Sequence, residues 1–168
     1  MLGLPRGEVF LVPWSNEWRT EFETERQHIQ DLIGPCIHRV HHIGSTAIEG
    51  LCAKPIIDIA IEIHDFSKGE KCAPALEKIG YAYRGTNVLP DRHYFNKGEP
   101  RTHQIHMYET GNRYLAEQLR FRDCLRRNEQ QRREYERLKL ALASSNSNDK
   151  HKYADGKTEF VRAILEKG

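Results

Sequence analysis

The stretch 41-HHIGSTAIEGLCAKPIIDIAIEI-63 carries the pattern from which the fold is read. In its second half Ile57, Ile59, Ile61 and Ile63 alternate with Asp58, Ala60, Glu62 and His64. That is the period of a strand with one buried face and one face left for solvent or chemistry, and it predicts a strand over 55–63. In its first half, residues 36–43 read as a second strand, ended by Gly44. Gly44 lets the backbone pass close to whatever lies beyond it, and Ser45 and Thr46 set hydroxyls beside free N–H groups. Such a bend, with a short helix opening beside it, suits an anionic phosphate. It is not a P-loop, which needs G-K-[ST] four residues after its first glycine; Lys54 stands elsewhere. An ordinary turn, in which Gly44 supplies a special dihedral and Ser45 caps, is the alternative.

Outward from this stretch, the apolar spacing of Trp18, Phe22, Ile29 and Ile33 predicts a helix over 14–33, capped by Ser15 or Asn16 and stopped by Gly34-Pro35. Residues 67–79 read as a helix that Pro74 shortens or kinks. Three more strands are expected over 81–83, 92–96 and 102–108. Composition then shifts near residue 112, and helices are predicted over 112–126, 129–143 and 149–166. Consecutive strands joined by short turns point to an α+β fold with a mixed, partly antiparallel sheet. The expected organisation is a single domain, 1–168, with a sheet core over about 36–110 and a helical tail over about 112–168, the usual size of one domain.

The chain has 26 Lys and Arg against 24 Asp and Glu, a formal charge of +2, which argues against a dedicated nucleic-acid binder. Its apolar runs are far shorter than a membrane span, and residues 1–10 lack the apolar centre of a signal peptide. The four scattered cysteines form no C-x-x-C pair, so a reduced, cytoplasmic chain with buried free thiols is expected. The nine histidines show no zinc-motif spacing.

Twelve residues separate Ser45 from Asp58, which lies on the strand face opposite the isoleucines. In a two-strand unit this sets a carboxylate beside the Gly-Ser bend, where a divalent cation such as Mg²⁺ could bridge it to triphosphate oxygens. A solvated strand carboxylate, or one paired with Lys54, is the plainer reading. On the candidate neighbouring strand His106 shares a face with Gln104 and could act as a base, a metal ligand or a phosphate donor. In the tail, Tyr135 and Lys139 stand at i, i+4, and Tyr153 and Lys157 repeat the spacing; a lysine or arginine reaching over the sheet can neutralise phosphates. A solvated amphipathic face explains the same residues without a ligand.

The spacing Gly-Ser, twelve residues, Asp-Ile resembles the nucleotidyltransferase fold of the DNA polymerase β type. More closely, HIGSTAIEGLCAKPIIDI, THQIHMY, FRDCLRRN, residues 135–139 and YADGKTEF together resemble the GrpB-like family of small bacterial proteins, from roughly residue 9 to the end. The resemblance implies a nucleotidyltransferase-like core with an N-terminal helix and a C-terminal helical segment, and it singles out Arg122 and Lys157 in the tail. Active nucleotidyltransferases carry two acids one residue apart for two-metal work; here the second position is Ala60. Glu62 cannot replace it, because four residues along a strand span about 13 Å.

Two functions follow as expectations. In the first, an enzyme binds a nucleoside triphosphate through Gly44, Ser45, Thr46, Lys54, Arg122 and Lys157. It holds Mg²⁺ on Asp58 and transfers a nucleotidyl group to a small acceptor, with Asp58 and His106 catalytic. In the second, a non-catalytic module recognises a nucleotide or other phosphate-bearing ligand. A structural partner protein whose helical tail docks another chain ranks third, and no membrane or nucleic-acid partner is expected.

Overall fold

The computed structural model describes residues 1–167. Helix α1 (Asn16–Ile33) leads into strands β1 (Ile37–Ile43) and β2 (Ile57–Ile63), then a short helix α2 (Ala73–Glu77). Strands β3 (Tyr81–Gly85), β4 (His93–Lys97) and β5 (His103–Glu109) follow, and helices α3 (Arg113–Arg127), α4 (Glu129–Ser145), α5 (Lys150–Asp155) and α6 (Thr158–Lys167) close the chain. The five strands form one sheet in the order β1-β2-β5-β4-β3. Only β2 and β5 run parallel; the other neighbours are antiparallel, giving the mixed α+β fold that the alternation predicts.

The isoleucine ladder of β2 is at most 1% exposed at each of its four positions. It packs with Ile105, Met107 and Phe95 of the neighbouring strands under Trp18, Phe22, Ile29 and Ile33 of α1 and Leu76 of α2. The same four α1 residues that set its sequence period therefore form its buried stripe. Ser15 starts the helix by accepting a hydrogen bond from the Glu17 N–H. Asp58, Ala60 and Glu62 point to the opposite face, opposite Gln104, His106 and Tyr108 on β5.

The helical tail covers part of that second face. Ala60 is closed off by Ile43, Tyr108 and Leu115, and Ile48 and Leu51 of the bend pack on Leu125 and Tyr135. Two predicted helices are corrected. The expected helix over 67–79 is two 3-10 turns followed by the five-residue α2, because Pro74 fits only the first turn of a helix. The expected helix over 149–166 breaks between α5 and α6 at Gly156, where a Cβ would lie 2.4 Å from Leu142 Cδ2, so the tail folds back against α4.

Because Ile59 sits in the middle of the buried ladder, Ile59→Ala should lower stability by about 2–5 kcal/mol in urea unfolding with little change in the slope of the transition.

Candidate functional site

The antiparallel register of β1 and β2 sets Ile43 opposite Asp58, so the chain leaves β1 directly beside the carboxylate. Gly44 makes the turn at φ +73°, where an L side chain is strained. A Cβ there would also approach Asp58 Oδ2 to 2.9 Å. Both facts leave only glycine, and the bend and the acid form one feature. Residues 45–47 make a 3-10 turn rather than an α-helix, and Ser45 does not cap it.

Asp58 is held by its strand neighbours. His106 Nε2 lies 3.0 Å from Asp58 Oδ1, and His106 Nδ1 lies 3.0 Å from an Arg92 Nη1. Since arginine only donates, Nδ1 accepts and the ring carries its proton on Nε2, which donates to the carboxylate. With its amide turned so that NH2 faces the acid, as its neighbours require, Gln104 donates to the same Oδ1 at 2.9 Å and accepts from Arg101 Nη1 and the Tyr94 hydroxyl, each at 3.3 Å. Asp58 is thus locked neither to Lys54 nor to Arg122. Two neutral side chains, each backed by an arginine, hold one of its oxygens and leave the other against Gly44.

In front of Asp58 lies a hollow of about 160 Å³ lined by Gly44, Ser45, Thr46, Lys54, Tyr135, Lys139, Tyr153 and Lys157. Lys54 and Lys157 both lie over the Tyr153 ring, at 5.2 and 4.5 Å from its centroid, and Lys139 lies 5.3 Å from the centre of Tyr135. The i, i+4 Tyr-Lys pairs of the tail therefore meet at the bend. Lys139 also donates to the Cys52 carbonyl at 2.7 Å, while Glu136, one turn away, accepts from the Cys52 N–H at 2.9 Å. Burial pushes the Lys139 ammonium down to about 7, helped by the neighbouring charge of Lys157, and pushes Lys157 down to about 8. Lys54 is lowered by burial too, partly offset by Asp58. Among the described residues, Asp58 is the one acid in the wall of this hollow.

The remaining sequence candidates fall around it. Thr46 shares its hydroxyl with His42 Nε2 at 2.9 Å, and burial pushes that histidine down to about 4, so it is neutral. Arg122 stands outside the lysine hollow: it donates to the His42 carbonyl at 3.0 Å and pairs with Asp123, while Arg126 donates twice to the Ala47 carbonyl. Both arginines pin α3 to the bend from behind. Glu62 pairs with His41, away from Asp58. His103 faces the other side of the sheet, beside Glu21. Arg92, Arg101 and Gln104, which the geometry ties to Asp58, carry no motif of their own; only the face shared by Gln104 and His106 hinted at one of them.

A protein-family model described as GrpB protein matches residues 8–167. The chain belongs to the GrpB family. It is 35% identical to the glutamate-rich protein GrpB of Alkalihalophilus pseudofirmus over 171 residues, covering 98% of both. It is 36% identical to YqkA of Bacillus subtilis over 96% of its own length, but spans about half (48%) of that relative. The crystal structure of the conserved protein GrpB from Enterococcus faecalis matches with a TM-score of 0.88 at 32% identity, covering 94% of this chain and 96% of that one. Fold likeness extends to Cid1 in complex with its product ApU, with a TM-score of 0.54 at 13% identity over 79% of this chain and 42% of that one. It also reaches terminal uridylyl transferase 4 of Trypanosoma brucei with bound CTP, at 0.52 and 12% over 92% and 51%. At such identities the likeness shows the nucleotidyltransferase-like fold alone.

In this GrpB chain the donor set does not fit a two-ion centre. Two hard cations need several shared carboxylate oxygens, whereas Asp58 is flanked by two side chains that donate to it. The position of a second acid is Ala60, fully buried under Leu115. Ala60→Asp should therefore destabilise the protein by about 3–5 kcal/mol, as an uncompensated buried charge does, rather than raise its affinity for Mg²⁺ or Mn²⁺. Urea unfolding with and without each ion checks both halves; an ion that restores wild-type stability would show that the site can be rebuilt.

Proposed function

We propose that this GrpB protein binds a nucleotide, or another small molecule with a phosphate chain, with its phosphates in the lysine hollow beside Asp58. The supporting observation is the charge imbalance there: Lys54, Lys139 and Lys157 converge on a half-closed space walled by a single carboxylate. Burial lowers all three ammonium groups, and neighbouring lysines lower Lys139 and Lys157 further; an incoming anion offsets both, and charge-assisted hydrogen bonds to phosphate oxygens are among the strong ones. Lys54 and Lys157, both half-buried, make the direct contacts, with Ser45 also in the wall; Lys139, buried, adds charge.

A second space of about 410 Å³ adjoins the hollow and shares Gly44, Ser45, Tyr135 and Lys157 with it. Its apolar walls include Ile48, Phe121, Val161 and Leu165, with Glu117, Gln118, Arg122 and Thr158 as polar groups. An apolar chamber with a few placed donors and acceptors is the usual home of an aromatic ring system, and a nucleoside fits it. The nucleotidyltransferase-like fold adds weight to this reading. Binding in this mode asks for no protein-built metal pair. Nucleotidyl transfer is the second reading, favoured by the one Asp58 oxygen turned towards Gly44, where a single Mg²⁺ carried in by the ligand could bridge acid and phosphate.

Calorimetry and thermal melting with the four nucleoside triphosphates and inorganic triphosphate, each with and without Mg²⁺, test the proposal. Ligand at a hundred times its dissociation constant should stabilise the protein by about 2.7 kcal/mol, and Lys157→Gln should weaken binding about tenfold or more. Indifference of the wild type to every phosphate compound, or of binding to Lys157→Gln, removes the reading. A strict need for Mg²⁺, with product formed, shifts it towards transfer.

The pH dependence has a definite sign. Phosphate binds the ammonium forms of Lys139 and Lys157, whose free-state values sit near 7 and 8, so binding takes up protons and affinity should fall as pH rises from 7 to 9. The fall approaches about tenfold per unit for each proton taken up. Because both groups lie below their unfolded value of 10.5, the free protein should also gain stability as pH rises from 7 towards 10.5, and saturating ligand should flatten that slope.

A further inference from the structure

We propose that a groove next to the lysine hollow is a second anion subsite, built for a phosphorylated co-substrate that meets the first ligand at Asp58. It rests on the reading of the lysine hollow as a nucleotide site. The groove, about 630 Å³, shares Lys54, Ile56 and Gln104 with the hollow and none of the residues by which the hollow opens into the apolar chamber. The two spaces thus leave the hollow through different walls.

Its charge is uncompensated. Arg6, Arg84, Arg92, Arg101, Lys54 and Lys150 line it against Glu8 and Glu99. Among the described residues, none of the six cations lies within 4.0 Å of a carboxylate oxygen, whereas ten such pairs occur elsewhere in the chain. Neutral groups hold the arginines instead. Arg84 Nε donates to Asn96 Oδ1 at 3.1 Å, Arg92 donates to His106 and lies 4.8 Å from the centre of the Tyr94 ring, and Arg101 donates to Gln104. The Arg92 Nε is buried and has no partner at all.

An arginine oriented by a neutral acceptor keeps its full charge and most of its five N–H donors for an incoming anion. Three of them converge from β3, the segment before β4 and the segment before β5, which suits an oxyanion with several terminal oxygens. Two of the three end, through His106 and Gln104, on Oδ1 of Asp58, whose carboxylate stands in the wall of the first ligand's hollow. An anion held in the groove is thereby set beside the phosphates held by the lysines.

Calorimetric titration of the full chain with inorganic pyrophosphate tests this. The wild type should take up two equivalents; Lys157→Gln should lose one, and the double variant Arg84→Gln/Arg101→Gln should lose the other. Arg84→Gln alone, at an exposed position, should weaken the second equivalent about tenfold with an unchanged melting temperature. A single equivalent that only Lys157→Gln removes overturns the second subsite, as does one that both variants weaken, which would mean that one ligand spans both spaces. A single equivalent removed by the arginine variants but untouched by Lys157→Gln keeps the groove as a site and overturns the nucleotide reading of the hollow. Citrate competing in the groove as well as pyrophosphate overturns the assignment to phosphate.

Discussion

One carboxylate facing three ammonium groups, in a half-closed space, is the constraint on which the rest of the architecture bears. In bulk water these charges would cost little. Inside the fold, burial lowers each lysine and makes their mutual repulsion count, so the surroundings must hold them in place. The holding is done largely by bonds from side chains to backbone. Lys139 and Glu136 grip the two polar atoms of Cys52, and Arg122 and Arg126 grip the carbonyls of His42 and Ala47 on either side of the bend. Each of these contacts joins a tail helix to the β1–β2 connection or to the end of β1. The helical tail is consequently part of the site and not an annex to it.

The sheet divides its labour between two faces. One is filled by isoleucine, methionine and phenylalanine under α1 and α2, a dense apolar core that fixes where the strands lie. The other carries the row Asp58 and Gln104, with Ala60 and His106 one step along. That polar row is neither solvated nor closed: α3 seals it over Ala60, and the lysines of α4 and the segment after α5 roof it over Asp58. The same covering by Leu115 explains why the second acid of an active nucleotidyltransferase has no room here. Packing has taken the position that metal chemistry would need.

Much of this was legible in the chain itself. The alternation of Ile57 to Ile63 specified a half-buried strand, the spacing of Trp18 to Ile33 an amphipathic helix, and Gly44 a bend beside an acid. The Tyr-Lys spacing in the tail pointed to Lys157, which the fold brings to the hollow together with Gly44, Ser45, Thr46, Lys54 and Asp58. His106 also arrived where its face implied, though as a donor to Asp58 in the free chain. Arg122 lines the adjoining apolar chamber rather than the lysine hollow, and it also fastens α3 to the end of β1. The break at Gly156 was missed because a glycine within a helical pattern reads the same whether it is tolerated or required by the close approach of Leu142.

Local period and residue type, then, determined the elements and the buried face of each strand, since those depend on neighbours two to four positions away. Which strand lies beside which was decided only in three dimensions. The parallel pairing of β2 with β5 joins residues 46 positions apart and puts Gln104 and His106 on Asp58, and the pairing of β4 with β5 brings Arg92 in behind His106. An arginine in a loop looks solvated until its partners are known. Its lack of an acidic partner is a property of the folded surface, set by long-range contacts that no local pattern encodes.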